Sequence, residues 1–442
     1  MKCLRISVAA AILLLGCLAG SALISSRLAT AQEKPSAKAK EAAKEKAPAP
    51  KPKTVPHREA THPLMGAINR LALPDHQYDL PDAVLSPDGT IFTAFLDWDG
   101  EDDTLRIASN DQSDWSDPQK PLVKGVLHAP AIALDGEETV HVIWPQTSLS
   151  DDTVDIFAAT WDREDGLLDQ TTIADTDAAE AFVDAGSDSQ GRVWVVWQSF
   201  RAGEGDVYAR CYDPAMGNWS SEIAVATERG GDWEPQLAFD SDGRAWVVWD
   251  SSRSHDTNEF NLYLACITLP SEPGAEPSVV KYPIAHTDRY EARASIAATS
   301  DGTGFWIAAE QGKSRWGLDS RGHDNGTGIN AGKRVLFGRF DIASEAFTEI
   351  PLGPAGEAGN PVNVPVVGVD QEGNPVVAYR YFQRALWRIE VTTYRQDSGT
   401  WSARRRLEDS SYGQDRRLVF LPGSGDAAIR AIWPSDLRGT KA

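Results

Sequence analysis

Gln236-Leu-Ala-Phe-Asp-Ser-Asp-Gly-Arg-Ala-Trp-Val-Val-Trp249 joins an apolar strand to a second strand, rich in Val and Trp, through a tight Asp/Gly turn. Ser187-Asp-Ser-Gln-Gly-Arg-Val-Trp-Val-Val-Trp197 writes the same arrangement earlier in the chain. Seven copies run from Pro81 to Trp433, with turn glycines at Gly89, Gly136, Gly191, Gly243, Gly302, Gly373 and Gly425. Their spacing runs from 47 to 71 residues. A repeat of this length, built from short alternating strands, is the sequence form of a β-propeller blade. The chain therefore reads as all-β, a propeller of seven blades with four antiparallel strands each.

The third repeat shows a whole blade: an inner strand over 182–187, then Val193–Trp197, Asp206–Tyr212 and an outer strand over Glu222–Ala226. The second strand is almost continuously apolar, which suits a sheet buried on both faces. Trp194 and Trp197, like Trp246 and Trp249, stand three apart and so face opposite sides of their strand. Inter-blade core is the plain reading, and an aromatic platform for sugars the functional one. The seventh repeat offers only two strands. Ile68–Leu73 is expected to close the ring by pairing into that last blade, with six blades and a trailing hairpin as the other arrangement.

The first 31 residues read as an export signal. Lys2 and Arg5 precede an apolar run from Val8 to Ile24, and Ala29-Thr-Ala31 supplies a small-x-small cleavage site. Leu14-Leu-Gly-Cys17 also resembles a lipoprotein cleavage box, so a lipidated Cys17 stays open. Residues 32–56 are a Lys/Ala/Pro tract without core-forming side chains, expected to be a solvated tether. The propeller then spans 57–442. The whole chain carries a formal net charge of −21, but residues 1–56 are basic and the remainder balances at −28. That field repels phosphate backbones and speaks against nucleic acid. Cys211 and Cys266 occupy matching places in neighbouring blades, about 10 Å apart by sheet spacing, too far for a disulfide. Two buried free thiols are expected.

Ser86-Pro-Asp-Gly-Thr-Ile-Phe-Thr-Ala-Phe95, and Val193–Trp197 with Arg201 and the following Gly205-Asp-Val-Tyr208, resemble TolB-type propeller repeats. The resemblance covers roughly 80–438 and implies a fold shared by partner-binding periplasmic proteins and by non-catalytic domains of enzymes. A more distant resemblance is to sialidase-like propellers. Ser187–Trp194 has the Ser, Gly and Trp of their Asp-box, but Ser189 stands where the Asp belongs. This turn also joins strands one and two instead of three and four, and no Arg-Ile-Pro signature opens the propeller.

Connections between strands two and three, and between successive blades, emerge on one face, where propellers usually hold their sites. Those loops carry Trp233, Glu234, Tyr290, Glu291 and Arg293 between blades, and Arg201, Asp250, Arg253, Glu310, Arg315, Trp316 and Arg380 within them. His76, Tyr78, Asp97, Trp98, Arg416 and Arg417 share the face. Several guanidiniums around one mouth suit a carboxylate or sulfate, and the plain alternative is bracing by neighbouring carboxylates. The Gly-rich stretch 311–334 reads either as a lid or as an insert. No His-Glu-x-x-His, Gly-x-Ser-x-Gly or phosphate-cradling loop occurs. Asp97-Trp-Asp-Gly-Glu-Asp-Asp103 lacks the ligand spacing of a calcium loop; calcium is the one metal to weigh, against an acidic surface loop.

These residues point to an exported propeller, monomeric and tethered through its N-terminus, that binds a protein partner or an anionic glycan and needs no cofactor. The alternative is a carbohydrate-active enzyme, a sialidase-like hydrolase or a lyase. In it Arg201, Arg253 and Arg380 hold the substrate carboxylate, and Glu234, Glu291 or Glu310 acts as acid or base.

Overall fold

In the computed structural model, residue 71 and residues 77–434 are described, apart from 99, 112–114, 117–120, 151, 255–258, 271–274, 318–331, 353–361, 384–385, 412–417 and 425–426. Every element among them is a strand. Blade 1 is β1 (Gln77–Leu85), β2 (Ile91–Trp98), β3 (Asp103–Asn110) and β4 (Val123–Gly125). Blade 2 is β5 (Ala131–Leu134), β6 (Val140–Thr147), β7 (Val154–Asp162) and β8 (Gly166–Ala174). Blade 3 is β9 (Glu180–Ser187), β10 (Val193–Ser199) and β11 (Asp206–Asp213), its outer edge split into β12 (Asn218–Trp219) and β13 (Ile223–Ala226). Blade 4 is β14 (Gly231–Phe239), β15 (Ala245–Ser254), β16 (Glu259–Thr268) and β17 (Ser278–Ala285). Blade 5 is β18 (Glu291–Ala298), β19 (Gly304–Gln311), β20 (Arg334–Asp341) and β21 (Ala346–Glu349). Blade 6 is β22 (Val362–Val369), β23 (Pro375–Gln383) and β24 (Leu386–Arg395), again with a split edge, β25 (Thr400–Trp401) and β26 (Arg405–Ser411).

The expected seven four-stranded blades are thus six. Among the described residues the seventh repeat forms a two-stranded hairpin, β27 (Val419–Ser424) with β28 (Ala427–Ile432). The ring closes because β27 packs against both β22 and β1. β28 is the last strand among the described residues. The expected closing strand Ile68–Leu73 lies outside the described residues except for Leu71, which is in no strand.

Blades adhere through the two faces of their second strands. Trp194 lies in the core shared with blade 4 and Trp197 in the core shared with blade 2, so the two indoles of one strand serve different neighbours. Trp246 and Trp249 divide in the same way. Each indole N–H is satisfied by a carboxylate. Trp194 donates to Asp188 (2.9 Å), Trp246 to Asp240 (2.8 Å), Trp197 to Glu180 (2.8 Å) and Trp249 to Asp232 (2.8 Å). Pairing of this kind is what lets so many polar edges enter a core.

The turn carboxylate also organises the strand-one-to-two turn. Asp188 accepts the N–H groups of Gln190 (2.9 Å) and Arg192 (3.1 Å) and the Arg192 Nε (2.7 Å). It stands one place before the position where an Asp-box carries its Asp. Gly191 (φ 76°) is required twice over: it is left-handed, and a Cβ there would collide with the Gly136 backbone of the preceding blade's turn. The lower face is therefore a collar of interlocked turns. Cys211 and Cys266 are free and buried in different inter-blade cores, and burial pushes the Cys211 thiol up to about 12.

Candidate functional site

Strand pairing sets matching positions on the upper face. Glu180, Asp232 and Glu291 open their inner strands opposite Ser199, Ser251 and Gln311. Two residues later five of the six blades bulge, placing Leu80, Phe182, Glu234, Arg293 and Val364 in the left-handed region (φ 45–56°). A non-glycine residue held there costs roughly 1–3 kcal/mol unless its surroundings enforce it. Here the neighbouring blade enforces it. Gln198 Oε1 accepts the Glu234 N–H (3.2 Å), Asp250 Oδ1 the Arg293 N–H (3.1 Å), and Glu310 Oε1 the Val364 N–H (2.8 Å). Gln198, Asp250 and Glu310 occupy one equivalent strand-two position, each stapling the bulge of the next blade.

In blades 4 and 5 the bulge residues are charged. Arg293 donates through Nε to Glu234 (3.4 Å) and through Nη1 to Glu310 (3.5 Å), while Glu310 also binds Lys333. The Lys333 ammonium lies 4.2 Å from the Trp316 ring centre and 4.8 Å from that of Tyr290. Tyr290 and Trp316 have centroids 4.5 Å apart. Lys333 is thus held by a carboxylate and two rings, a combination that tolerates a buried ammonium. Gly312 admits this packing, since a Cβ there would press on Trp316 and Tyr290. The Arg293 and Glu234 side chains keep 25 % and 24 % of their surface open, whereas that of Glu310 is closed.

The protonation pattern follows from burial against charge. Burial, then the negative charge of Glu234, raises the Asp250 carboxyl well above its ordinary value. Burial also works to raise Glu310, but Lys333 and Arg293 outweigh it and hold that carboxylate below its ordinary value. Burial pushes the Tyr290 phenol well up. Glu291 is raised by burial against the bonds from Thr287 and Gln311. Its Oε2 is buried without a hydrogen-bond partner among the described residues, because Ala309 stands where Trp197 and Trp249 supply an indole to Glu180 and Asp232.

The residues expected at the mouth divide into groups. Glu234, Asp250, Tyr290, Arg293, Glu310 and Trp316 come together as described. Arg201 belongs to blade 3, donating to Glu222 (2.7 Å), Glu180 (3.2 Å) and Ser199 (2.8 Å) over the Tyr208 ring. Burial opposes its charge, and Glu222 and Glu180 more than compensate, which is the bracing role. Trp233 packs against Phe200, with its indole folded over Gly231. Arg380 occupies the position of Glu310 in blade 6 and lies over Trp387 (4.6 Å). Arg315 is left-handed, at the start of the stretch after β19. Arg253 lies in β15, its side chain outside the described residues, as do His76, Arg416, Arg417 and 318–331 of the Gly-rich stretch. Asp97 is buried on Arg106 (2.6 Å), and among the described residues no cluster of three or more metal-type ligands occurs.

Gln198 and Lys333 were not singled out from the sequence. Gln198 aligns with Asp250 in the repeat and was legible; Lys333 sits at the edge of a long insertion, where no repeat position announces it.

No protein-family model matches the chain, and no curated protein matches it. Among solved structures it is similar to a protein of unknown function from Dyadobacter fermentans, at 12% identity over 71% of this chain and 93% of that one, with a TM-score of 0.42. It is also similar to the NanB sialidase of Streptococcus pneumoniae, at 8% identity over 73% and 68% of the two chains, TM-score 0.45. A leech intramolecular trans-sialidase aligns at 10% identity over 69% and 65%, TM-score 0.45. At these identities the likeness says nothing of substrate or chemistry.

Proposed function

We propose that this chain is an exported propeller that binds a polar, carboxylate-bearing ligand across blades 4 and 5, through Glu234 and Arg293, as a binding module. One observation carries the reading. At a backbone position where blades 1, 3 and 6 place Leu80, Phe182 and Val364, two adjacent blades place opposite charges, and both stay partly open. Two of the contacts of Arg293, with Glu234 and Glu310, are 3.4 and 3.5 Å, long for charge-assisted bonds. A planar carboxylate from an anionic glycan or a protein side chain suits the exposed part of the guanidinium, while Glu234 accepts from neighbouring hydroxyl or amide groups. The resemblance to TolB-type repeats agrees with a non-catalytic role, and the Lys/Ala/Pro tract suits a spacer that holds the domain off a surface.

A hydrolase is the second reading, and Asp250 favours it. A carboxyl whose proton affinity is raised by burial, beside a second carboxyl, is how acid and base roles separate. Against it, Asp250 is buried and bonded to the backbone of Arg293, and Glu310 is neutralised by two cations.

Calorimetry against uronate-containing and neutral oligosaccharides, with reducing-end release followed in parallel, separates the two. Binding of an acidic oligosaccharide without turnover, weakened at least tenfold (about 1.4 kcal/mol) by Glu234→Gln and by Arg293→Gln, is expected. Turnover abolished by Asp250→Asn would replace the binding reading with the hydrolase one.

A further inference from the structure

Blade 6 departs from the charge balance of the ring as a whole. Val362–Ser411 carries seven arginines against six carboxylates, whereas residues 57–442 together balance at −28. Elsewhere in this acidic propeller arginines are matched: Arg106, Arg192, Arg201, Arg244, Arg334 and Arg395 each meet a carboxylate at 2.6–2.9 Å. Arg388 and Arg406 are not. Neither makes a hydrogen bond or an ion pair among the described residues, and the Arg388 Nε is buried without a partner. An orphaned buried donor in a native fold calls for an account.

Strand register puts the two guanidiniums on one face. Tyr381 pairs with Arg388 and Tyr379 with Glu390 across β23 and β24, and Glu390 pairs with Arg406 across β24 and β26. Cross-strand partners, and residues two apart on a strand, share a face of the sheet. It is the face turned to blade 5, since Tyr379 and Val362, the β22 partner of Tyr381, lie in the core shared with that blade. Both charges reach the Tyr381 phenol: burial and Glu390 raise it, and Arg388 and Arg406 oppose them. Glu390 accepts the Tyr379 O–H (2.8 Å) and forms an ion pair with neither arginine. Arg406 is exposed, and Arg388 and Tyr381 are half-buried, so the cluster is open to solvent.

We propose that Arg388 and Arg406 form an anion site on blade 6 that takes a carboxylate or sulfate group of an acidic glycan. A guanidinium matches two oxygens of either group. Arg388 keeps part of its surface open, and an anion bound there supplies the acceptor that its Nε–H lacks. Arg406 adds a second charge from the exposed side. Tyr381, an apolar ring with a polar tip, suits the sugar that carries the acid group. In a chain whose field repels anions at large, an unneutralised arginine pair is where one settles. Arg388 lies two strand spacings, about 10 Å, outward of Val362, on a different blade from Glu234 and Arg293, and the site does not depend on them.

Titration calorimetry on the full chain tests it, with a uronate oligosaccharide, a sulfated oligosaccharide of neutral sugars and an uncharged one. Repeating it in the Arg293→Gln background removes any signal from the mouth, so the two sites succeed or fail separately. An acidic oligosaccharide is expected to bind and the uncharged one not to, and which acid binds tells carboxylate from sulfate. The Arg388→Gln/Arg406→Gln double variant should weaken binding roughly tenfold or more. Arg395→Gln removes the same charge from the same blade and should weaken it less than about twofold. Thermal unfolding reports whether each variant folds; should the double variant not, the exposed Arg406→Gln alone is expected to weaken binding about threefold. No acidic oligosaccharide bound, equal binding of the uncharged one, unchanged affinity in the folded variants, or an equal loss in Arg395→Gln would each overturn the site.

Discussion

Blades 1 and 2 and blades 4 and 5 share one backbone and use its upper face in opposite ways. At the strand-two position that staples the next blade, blades 1 and 2 carry Leu96 and Pro145, whereas blades 3, 4 and 5 carry Gln198, Asp250 and Glu310. At the bulge, blade 1 has Leu80 where blades 4 and 5 have Glu234 and Arg293. At these two positions the first blades are thus apolar, and blades 4 and 5 hold a compensated set of charges. Repeats supply an equal frame, and the differences among equivalent side chains are where function enters.

The largest expected effect comes from Glu310. Its closed carboxylate serves Lys333, Arg293 and the Val364 N–H at once. Glu310→Ala leaves a buried ammonium without its anion and should cost about 3–5 kcal/mol, read from urea midpoints. A loss below about 1 kcal/mol would mean that the charged side is no more integrated than the neutral one.

Moving a blade-4 residue to blade 1 probes the converse. Leu96 is 5% exposed and packs in the core between blades 1 and 2. Leu96→Asp removes apolar burial and leaves a polar group without the staple that Asp250 makes, a loss of about 2–4 kcal/mol. A neutral outcome would show that the upper rim accepts carboxyl groups anywhere.

Asp250 and Glu310 should respond to pH with opposite signs. The folded-state value of Asp250 is raised, so its stabilising share is full in acid and is lost as pH rises through that value. That of Glu310 is lowered, so its share is full above the ordinary carboxylate range and is lost as pH falls through the folded value. Asp250→Asn should therefore flatten the decline of stability above the ordinary carboxylate range. Urea melts across that range decide it, and an unchanged profile would place Asp250 among ionised groups.

The smallest effect on stability and the sharpest on binding are expected together, at Glu234→Leu. The Glu234–Arg293 contact is long and a quarter open, worth about 0–1 kcal/mol. Thermal unfolding should barely move while ligand affinity falls. Loss of fold instead would make Glu234 a strut.

The repeat was open to reading because a propeller writes itself locally: turn carboxylate, turn glycine and a strand with Trp at alternating faces recur whatever the rest of the chain does. Trp194 and Trp197 could be assigned to different neighbours from their spacing alone. The number of complete blades could not, because whether Val419–Ile432 recruits further strands depends on what packs beside it. The mouth was legible in part: Glu234 and Arg293 fall on the predicted connections, but the carboxylate clamp was expected at Arg201, Arg253 and Arg380 instead of Arg293.

By itself the sequence determined the all-β repeat, the two free thiols and an acidic propeller after a basic N-terminal stretch, since each depends on neighbours a few residues apart or on composition. Only the tertiary structure decided that six blades are complete, that Arg201 is spent on Glu180 and Glu222, and that Arg293 stands between Glu234 and Glu310. Arg293 meets Glu234 across the boundary between blades 4 and 5, 59 positions away in the chain, and Arg201 meets its two carboxylates from elsewhere in its own blade, pairings that exist only once the sheets have assembled.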